Sequence, residues 1–144
     1  AESFNAKIKL FRANLRGVAD KKFFLFRIAK HMRIPQISTD PNKWDTSVGG
    51  HIDLGESVEM ALKREAQEEL GISDFTFELF THYVFESDRE KELVFCHRTT
   101  YNGEISPSNE LDGGRFWSIE EIKNNLGKGV FTPNFESEFA RLKF

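Results

Sequence analysis

The 144-residue sequence contains a single cysteine, Cys96, which excludes an internal disulfide and fits a reducing, cytoplasmic setting. Its four prolines are scattered at positions 35, 41, 107 and 133, and no Pro/Gly-rich linker, internal repeat or low-complexity tract divides the chain. The reading is one continuous domain over 1–144, a length that supports one real core and is short for two. Long apolar runs are also missing: the longest are tetrapeptides, as at 23–26 and 93–96, far below the roughly 20 residues of a membrane span. No secretory signal pattern appears, and the start at Ala1 rather than Met points to a processed or trimmed chain. Neither sign of charge dominates. Twenty Lys and Arg against 23 Asp and Glu leave a net charge of −3, so no basic surface for duplex nucleic acid is expected.

What is present is a globular composition, 39% hydrophobic and 30% charged, with 15 Phe to fill a core. Loose alternation over 6–17 and the run Phe23-Phe24-Leu25-Phe26-Arg27-Ile28 predict a hairpin of two strands. The polar stretch 30–43 reads as a loop that brings Lys30, His31, Arg33 and Lys43 to one region. Over 57–70 the period becomes helical, with Ser57 as N-cap and Gly71 as stop. Strands are predicted at 75–86 and 92–102, then a loop over 103–114. Ser118-Ile119-Glu120-Glu121 fits a capping box that starts a short helix. Thr132-Pro133 starts a last one, with Phe135, Phe139 and Leu142 on its apolar face. Helical and strand periods are mixed without regular alternation, which predicts a mixed α/β fold rather than a simple doubly wound one.

The 57–70 helix carries charge on the wrong face. Advancing roughly 100° per residue from Val58, the side chains of Leu62, Ala66 and Leu70 define an apolar stripe, yet Glu65 and Glu69 fall within about 20° of Val58. The plain alternative is a solvated acidic face with i,i+4 pairing. Glu65 and Glu69 are themselves an i,i+4 like-charge pair, however, and at a core edge they also lose hydration. Arg64 is one cation among Glu56, Glu59, Glu65, Glu68 and Glu69. Hard oxygen donors clustered on one helical face suit Mg²⁺ or Mn²⁺, whose shell is commonly completed by water and substrate phosphate.

Written out, the segment is Gly50-His51-Ile52-Asp53-Leu54-Gly55-Glu56, seven residues through Lys63, then Arg64-Glu65-Ala66-Gln67-Glu68-Glu69-Leu70-Gly71-Ile72. It resembles the Nudix box, G-x5-E-x7-R-E-U-x-E-E-x-G-U with U aliphatic. Every fixed position matches, and Ala66 is small for its aliphatic slot. Similarity to the family extends to the strand that enters the box, 44–51, and to the strand and helix around 115–122. The resemblance implies a Nudix-type α/β/α sandwich, with a mixed sheet between helices. It also implies hydrolysis of a diphosphate linkage, often in a nucleoside diphosphate joined to another group, with Mg²⁺ or Mn²⁺ and a water nucleophile.

Carried over residue by residue, Glu65 and Glu69 are the metal ligands, joined by Glu68 and by the Gly50 carbonyl. Glu56 and Arg64 orient the glutamates. Family members recruit the general base from within the box or from a later loop, and Glu110 is the candidate outside it, with Glu86, Glu90 and Glu92 weaker. Lys30, Arg33 and His51, with His31 and Lys43, are candidates for binding a distal phosphate, the alternatives being solvated loop charges and, for His51, a structural role. Trp44 and Trp117 read as core, and Cys96 as a small buried residue. The 44–51 stretch is similar to the branch that includes isopentenyl diphosphate isomerase, but the catalytic cysteine of that enzyme is absent from this strand. No substrate-specific accessory motif is present. The partner expected is a small-molecule diphosphate, with no duplex nucleic acid and no membrane, and a homodimer is expected because similar proteins often dimerise. A non-catalytic module that binds a nucleotide or sugar diphosphate is the alternative function, although lost box glutamates would be its usual mark.

Overall fold

The computed structural model describes residues 8–15, 21–32, 43–88, 90–108 and 114–144. In chain order these form β1 (Ile8–Leu15), β2 (Lys21–His31), β3 (Trp44–Asp45), β4 (Val48–His51), α1 (Val58–Leu70), β5 (Glu78–Glu86), β6 (Lys91–Thr100), β7 (Gly114–Ser118), α2 (Ile119–Asn125) and α3 (Pro133–Leu142). Strand β2 is the centre of one mixed sheet. From Phe23 to His31 it pairs antiparallel with β6, while its other side pairs antiparallel with β1 near the start and parallel with β4 near the end. Strand β5 extends the sheet beyond β6, and β3 and β7 both run parallel to β1.

Alternation along β2 divides the core between the two faces. Phe24, Phe26 and Ile28 pack with Val48 and with Ala61, Leu62, Ala66 and Leu70 of α1. Phe23 and Leu25 face the other way, onto Trp117, Ile122 of α2, Phe131, and Phe135 and Phe139 of α3. The α/β/α sandwich expected from the sequence is therefore the one observed. All three helix starts are also as expected. Ser57 accepts from the Met60 amide, the Ser118–Glu121 capping box closes in both directions, and Thr132 caps α3 with Pro133 in its first turn.

Several boundaries differ from expectation. The predicted loop 30–43 begins inside a strand: β2 runs to His31 because Lys30 and His31 pair with Leu93 and Glu92 of β6, a long-range contact that local polarity does not announce. Lys30 and His31 are consecutive in a strand, so their side chains leave opposite faces and do not converge. Strand β5 starts at Glu78 rather than 75, and Phe75 and Phe77 instead pack as connecting chain against the α1 side of the core. Strand β6 ends at Thr100 rather than 102.

The residue on β2 that departs from the apolar pattern, Arg27, anchors the α3 side. Its guanidinium donates to Glu138 Oε2 at 2.6 Å and Oε1 at 3.0 Å, and to Asp45 at 2.7 and 3.2 Å. Glu138 is fully buried and also accepts from the Tyr83 hydroxyl at 2.7 Å and the Cys96 thiol at 3.1 Å. Asp45 accepts from Thr132 Oγ1 and from the Thr46 amide, both at 2.8 Å. Burial alone would lower the Arg27 pKa, but Asp45 and Glu138 hold it well above its ordinary value. Burial pushes the Cys96 thiol well up, and this cysteine is the small buried residue expected. Replacing Glu138 by Ala leaves Arg27 short of half its counter-charge and strips two further donors of their acceptor. The expected cost is about 3–5 kcal/mol, read from urea unfolding of Glu138→Ala against the unchanged chain.

Candidate functional site

Strand β4 ends at His51, and the chain returns to α1 through a tight loop. Gly55 takes φ 86°, Glu56 donates its amide to Asp53 O at 3.0 Å, and the Asp53 amide donates back to Glu56 Oε1 at 2.8 Å. The loop is thus closed on Glu56 before the helix begins. At the far end Gly71 stands at φ 70°, where a side chain would be strained, and its amide bonds to the last turn of α1. The buried residues Ala61, Leu62, Ala66 and Leu70 fix the helix rotation, so Glu65 and Glu69 are carried to the boundary with β4.

Arg64 organises this boundary. Its Nε donates to Glu56 Oε2 at 2.7 Å and its Nη2 to Glu56 Oε1 at 2.9 Å, a two-pronged grip. Nη2 also donates to the carbonyl of His51 at 2.9 Å, and Nη1 to Glu65 Oε1 at 2.7 Å. Glu68, with a side chain 59% exposed, lies at the edge of Arg64's reach at 3.5 Å. Glu69 is held elsewhere: its Oε2 accepts from the Gly49 amide at 3.2 Å. The bond from Arg64 is the main reason that Glu56 is lowered to a pKa of about 2, with the Asp53 amide second, while Arg64 itself is raised well above its ordinary value.

Gly50 is needed for close approach. A Cβ at this position would fall inside the Glu65 side chain, so the backbone of β4 and the Glu65 carboxylate lie together only because residue 50 has no side chain. Glu65 and Glu69 thus bring two carboxylates, donors of the kind that hard cations take, to the backbone of β4, with the exposed Glu68 on the same helix. The donor set fits a divalent metal such as Mg²⁺.

The sequence-derived candidates separate into three groups. Gly50, Glu56, Arg64, Glu65, Glu68 and Glu69 come together along β4, its following loop and α1. His51 faces away from Glu65, and its Nε2 lies 2.6 Å from Glu92 Oε2. Lys30 is exposed at the end of β2. Arg33 and Glu110 lie outside the described residues, but Ser108 donates its amide to the carbonyl of Glu69 at 2.9 Å, and Ser106 donates to that of Leu70 at 2.7 Å. The segment leading towards residue 110 is thereby fastened to the end of α1. The pairing of His31 and His51 with Glu92 was not legible locally. Its one signal is the period-two spacing of Arg27, Ala29 and His31, which puts them on one face of β2.

A sheet with helices on both faces, closed around a box with this spacing, defines a Nudix domain. The NUDIX domain family model matches residues 19–135, and the chain belongs to that family. An uncharacterised Nudix hydrolase of Streptomyces coelicolor is 30% identical over 120 residues, which are 81% of this chain and 66% of that protein. An 8-oxo-dGTP diphosphatase of Escherichia coli is 35% identical over 96 residues, 66% of this chain and 70% of that protein. A crystal structure of a Deinococcus radiodurans protein shares the fold, with a TM-score of 0.63 at 21% identity over 95% of this chain and 83% of the other. The chain spans slightly less than two thirds of the Streptomyces relative's length.

The Glu56–Arg64 grip has a pH signature. A carboxylate lowered from 4.5 to about 2 in the folded state contributes stability above pH 4.5 and loses it as pH falls towards 2. Glu56→Gln removes that contribution, so its unfolding midpoint should fall less steeply between pH 4.5 and 2 than that of the unchanged chain. Denaturation midpoints across that interval check it, and parallel slopes would contradict it.

Proposed function

We propose that this chain is a divalent-metal-dependent hydrolase of a diphosphate linkage in a small nucleotide-like substrate, working in the cytoplasm. The observation that carries this reading is the seating of Glu65 against Gly50 and of Glu69 on the Gly49 amide, with Arg64, gripped by Glu56, bracing Glu65. Glu65, Glu69 and the Gly50 carbonyl are the proposed holders of Mg²⁺ or Mn²⁺, with Glu68 joining directly or through water. The bound ion would offset the negative charge of the diphosphate and lower the pKa of the attacking water.

The remaining roles fall to the chain's own groups. Arg64 orients Glu65 and fixes the end of β4 through the His51 carbonyl, and Glu56 holds Arg64 in that position. Both are positioning residues. A base must accept the proton of the attacking water, and two residues compete for that role. Glu68 is exposed and on the site's own helix, whereas Glu110 follows the segment tied to the Glu69 carbonyl. The E. coli relative's name, 8-oxo-dGTP diphosphatase, supports a nucleotide substrate, and the small acidic excess of this chain favours a small molecule over a polyanion.

The test is release of phosphate and mononucleotide from a panel of nucleoside triphosphates, nucleoside diphosphate sugars, dinucleotides and prenyl diphosphates, each with Mg²⁺, Mn²⁺ or chelator. Metal-dependent turnover of one class is expected, and Glu69→Gln should lower kcat on that class by at least about 10²-fold. Of Glu68→Gln and Glu110→Gln, the variant that loses kcat with KM unchanged marks the base. Binding without turnover across the panel would favour the non-catalytic module instead.

A further inference from the structure

A second cluster of donors lies on the opposite face of the sheet from Glu65. In the sheet register His31 of β2 is directly opposite Glu92 of β6, and Ala29, two residues back on the same face, is opposite His51 of β4. Period-two alternation therefore sends His31, His51 and Glu92 to one face at the strand ends, while Gly50, the neighbour of His51, faces α1. The side chains complete what the register sets up. The two imidazoles stack with centroids 4.0 Å apart, and both turn a nitrogen towards Glu92 Oε2, His51 Nε2 at 2.6 Å and His31 Nδ1 at 3.4 Å. One donor atom from each of the three side chains lies within 4.8 Å of the others.

The cluster is incompletely satisfied as it stands. Glu92 is buried, 6% exposed, and its carboxylate faces both imidazoles. His31 Nδ1 is shielded from water and has no hydrogen-bond partner among the described residues. Two imidazoles and one carboxylate brought this close are the donor set of zinc-class ions, whereas Mg²⁺ takes oxygen donors.

We infer that His31, His51 and Glu92 form a binding site for a divalent transition metal of the zinc class, separate from the carboxylate site on α1. Half of the His51 side chain is exposed, so an ion there would keep open positions towards solvent. A zinc-class cation would give His31 Nδ1 a partner.

The site is tested by stripping the purified chain with chelator, titrating Zn²⁺ in excess Mg²⁺, and repeating the titration with Co²⁺ for its visible spectrum. The expected result is one zinc retained per chain against Mg²⁺ and Co²⁺ bands of imidazole ligation. His31→Ala and Glu92→Gln should each weaken zinc at least about 10-fold, whereas Glu69→Gln should leave it unchanged. Zinc fully displaced by Mg²⁺, or held equally well by His31→Ala and Glu92→Gln, would overturn the inference. A measurement on the unsubstituted chain guards against a variant that fails to fold. In ¹H–¹⁵N spectra of the four histidine rings, zinc should shift His31 and His51 and leave His82 and His97 in place. Shifts absent from His31 and His51 would refute the site whatever the activity assays give.

Discussion

A largely buried ion network holds the sheet to its second helical layer. Arg27 stands in the middle of β2, the strand on which β1, β4 and β6 all pair, and its guanidinium is shared by Asp45 of β3 and Glu138 of α3. Such a network is costly to desolvate and becomes favourable only when every donor and acceptor is met. Here Tyr83, Cys96, Thr46 and Thr132 supply further bonds. An apolar surface would let α3 slide or rotate on the sheet, but these paired charges allow one seating. Strand β2 then presents its other face, Phe24, Phe26 and Ile28, to α1. The placement of the box helix thus rests on a strand fixed from behind.

The chain's other organising arginine works under different physics. Arg64 is partly exposed, and its value lies less in net stability than in geometry, since solvent-screened ion pairs contribute little. Five acceptor groups around one planar guanidinium fix the angle between the end of β4, the loop and the helix. Lys would not substitute, because a single ammonium cannot span Glu56 and Glu65 while bonding a backbone carbonyl. The close passage at Gly50 completes the arrangement by bringing main chain and carboxylate together where any larger residue would separate them.

The helices were legible in the sequence to within a residue because their signals are local. Ser57 and Gly71 bracket α1, Ser118 and Glu121 close a capping box, and Thr132-Pro133 opens α3. The misplaced carboxylates of α1 were legible for the same reason, being a matter of helical angle. Strand limits were less so. Phe75 and Phe77 look like β5 by alternation but are occupied in the core around Phe26, and the ladder with β6 starts after them, with a bulge between Leu79 and Thr81. Lys30 and His31 look like loop because polarity is a local property, whereas their place in a strand is decided by residues some sixty positions away. The Arg27 network was invisible for a related reason. A charged residue inside an apolar strand gives no sign of its partner until a distant helix supplies Glu138.

The connection between β6 and β7 shows how the ends of α1 affect chain far from it. A helix leaves its last carbonyls without intrahelical partners, and here the amides of Ser106 and Ser108 take those of Leu70 and Glu69. Residues 106–108 of this connection therefore borrow their order from the helix end. They can lift away only by uncovering two carbonyls of the very turn that holds Glu69, so loosening of the loop and fraying of the helix are one event rather than two.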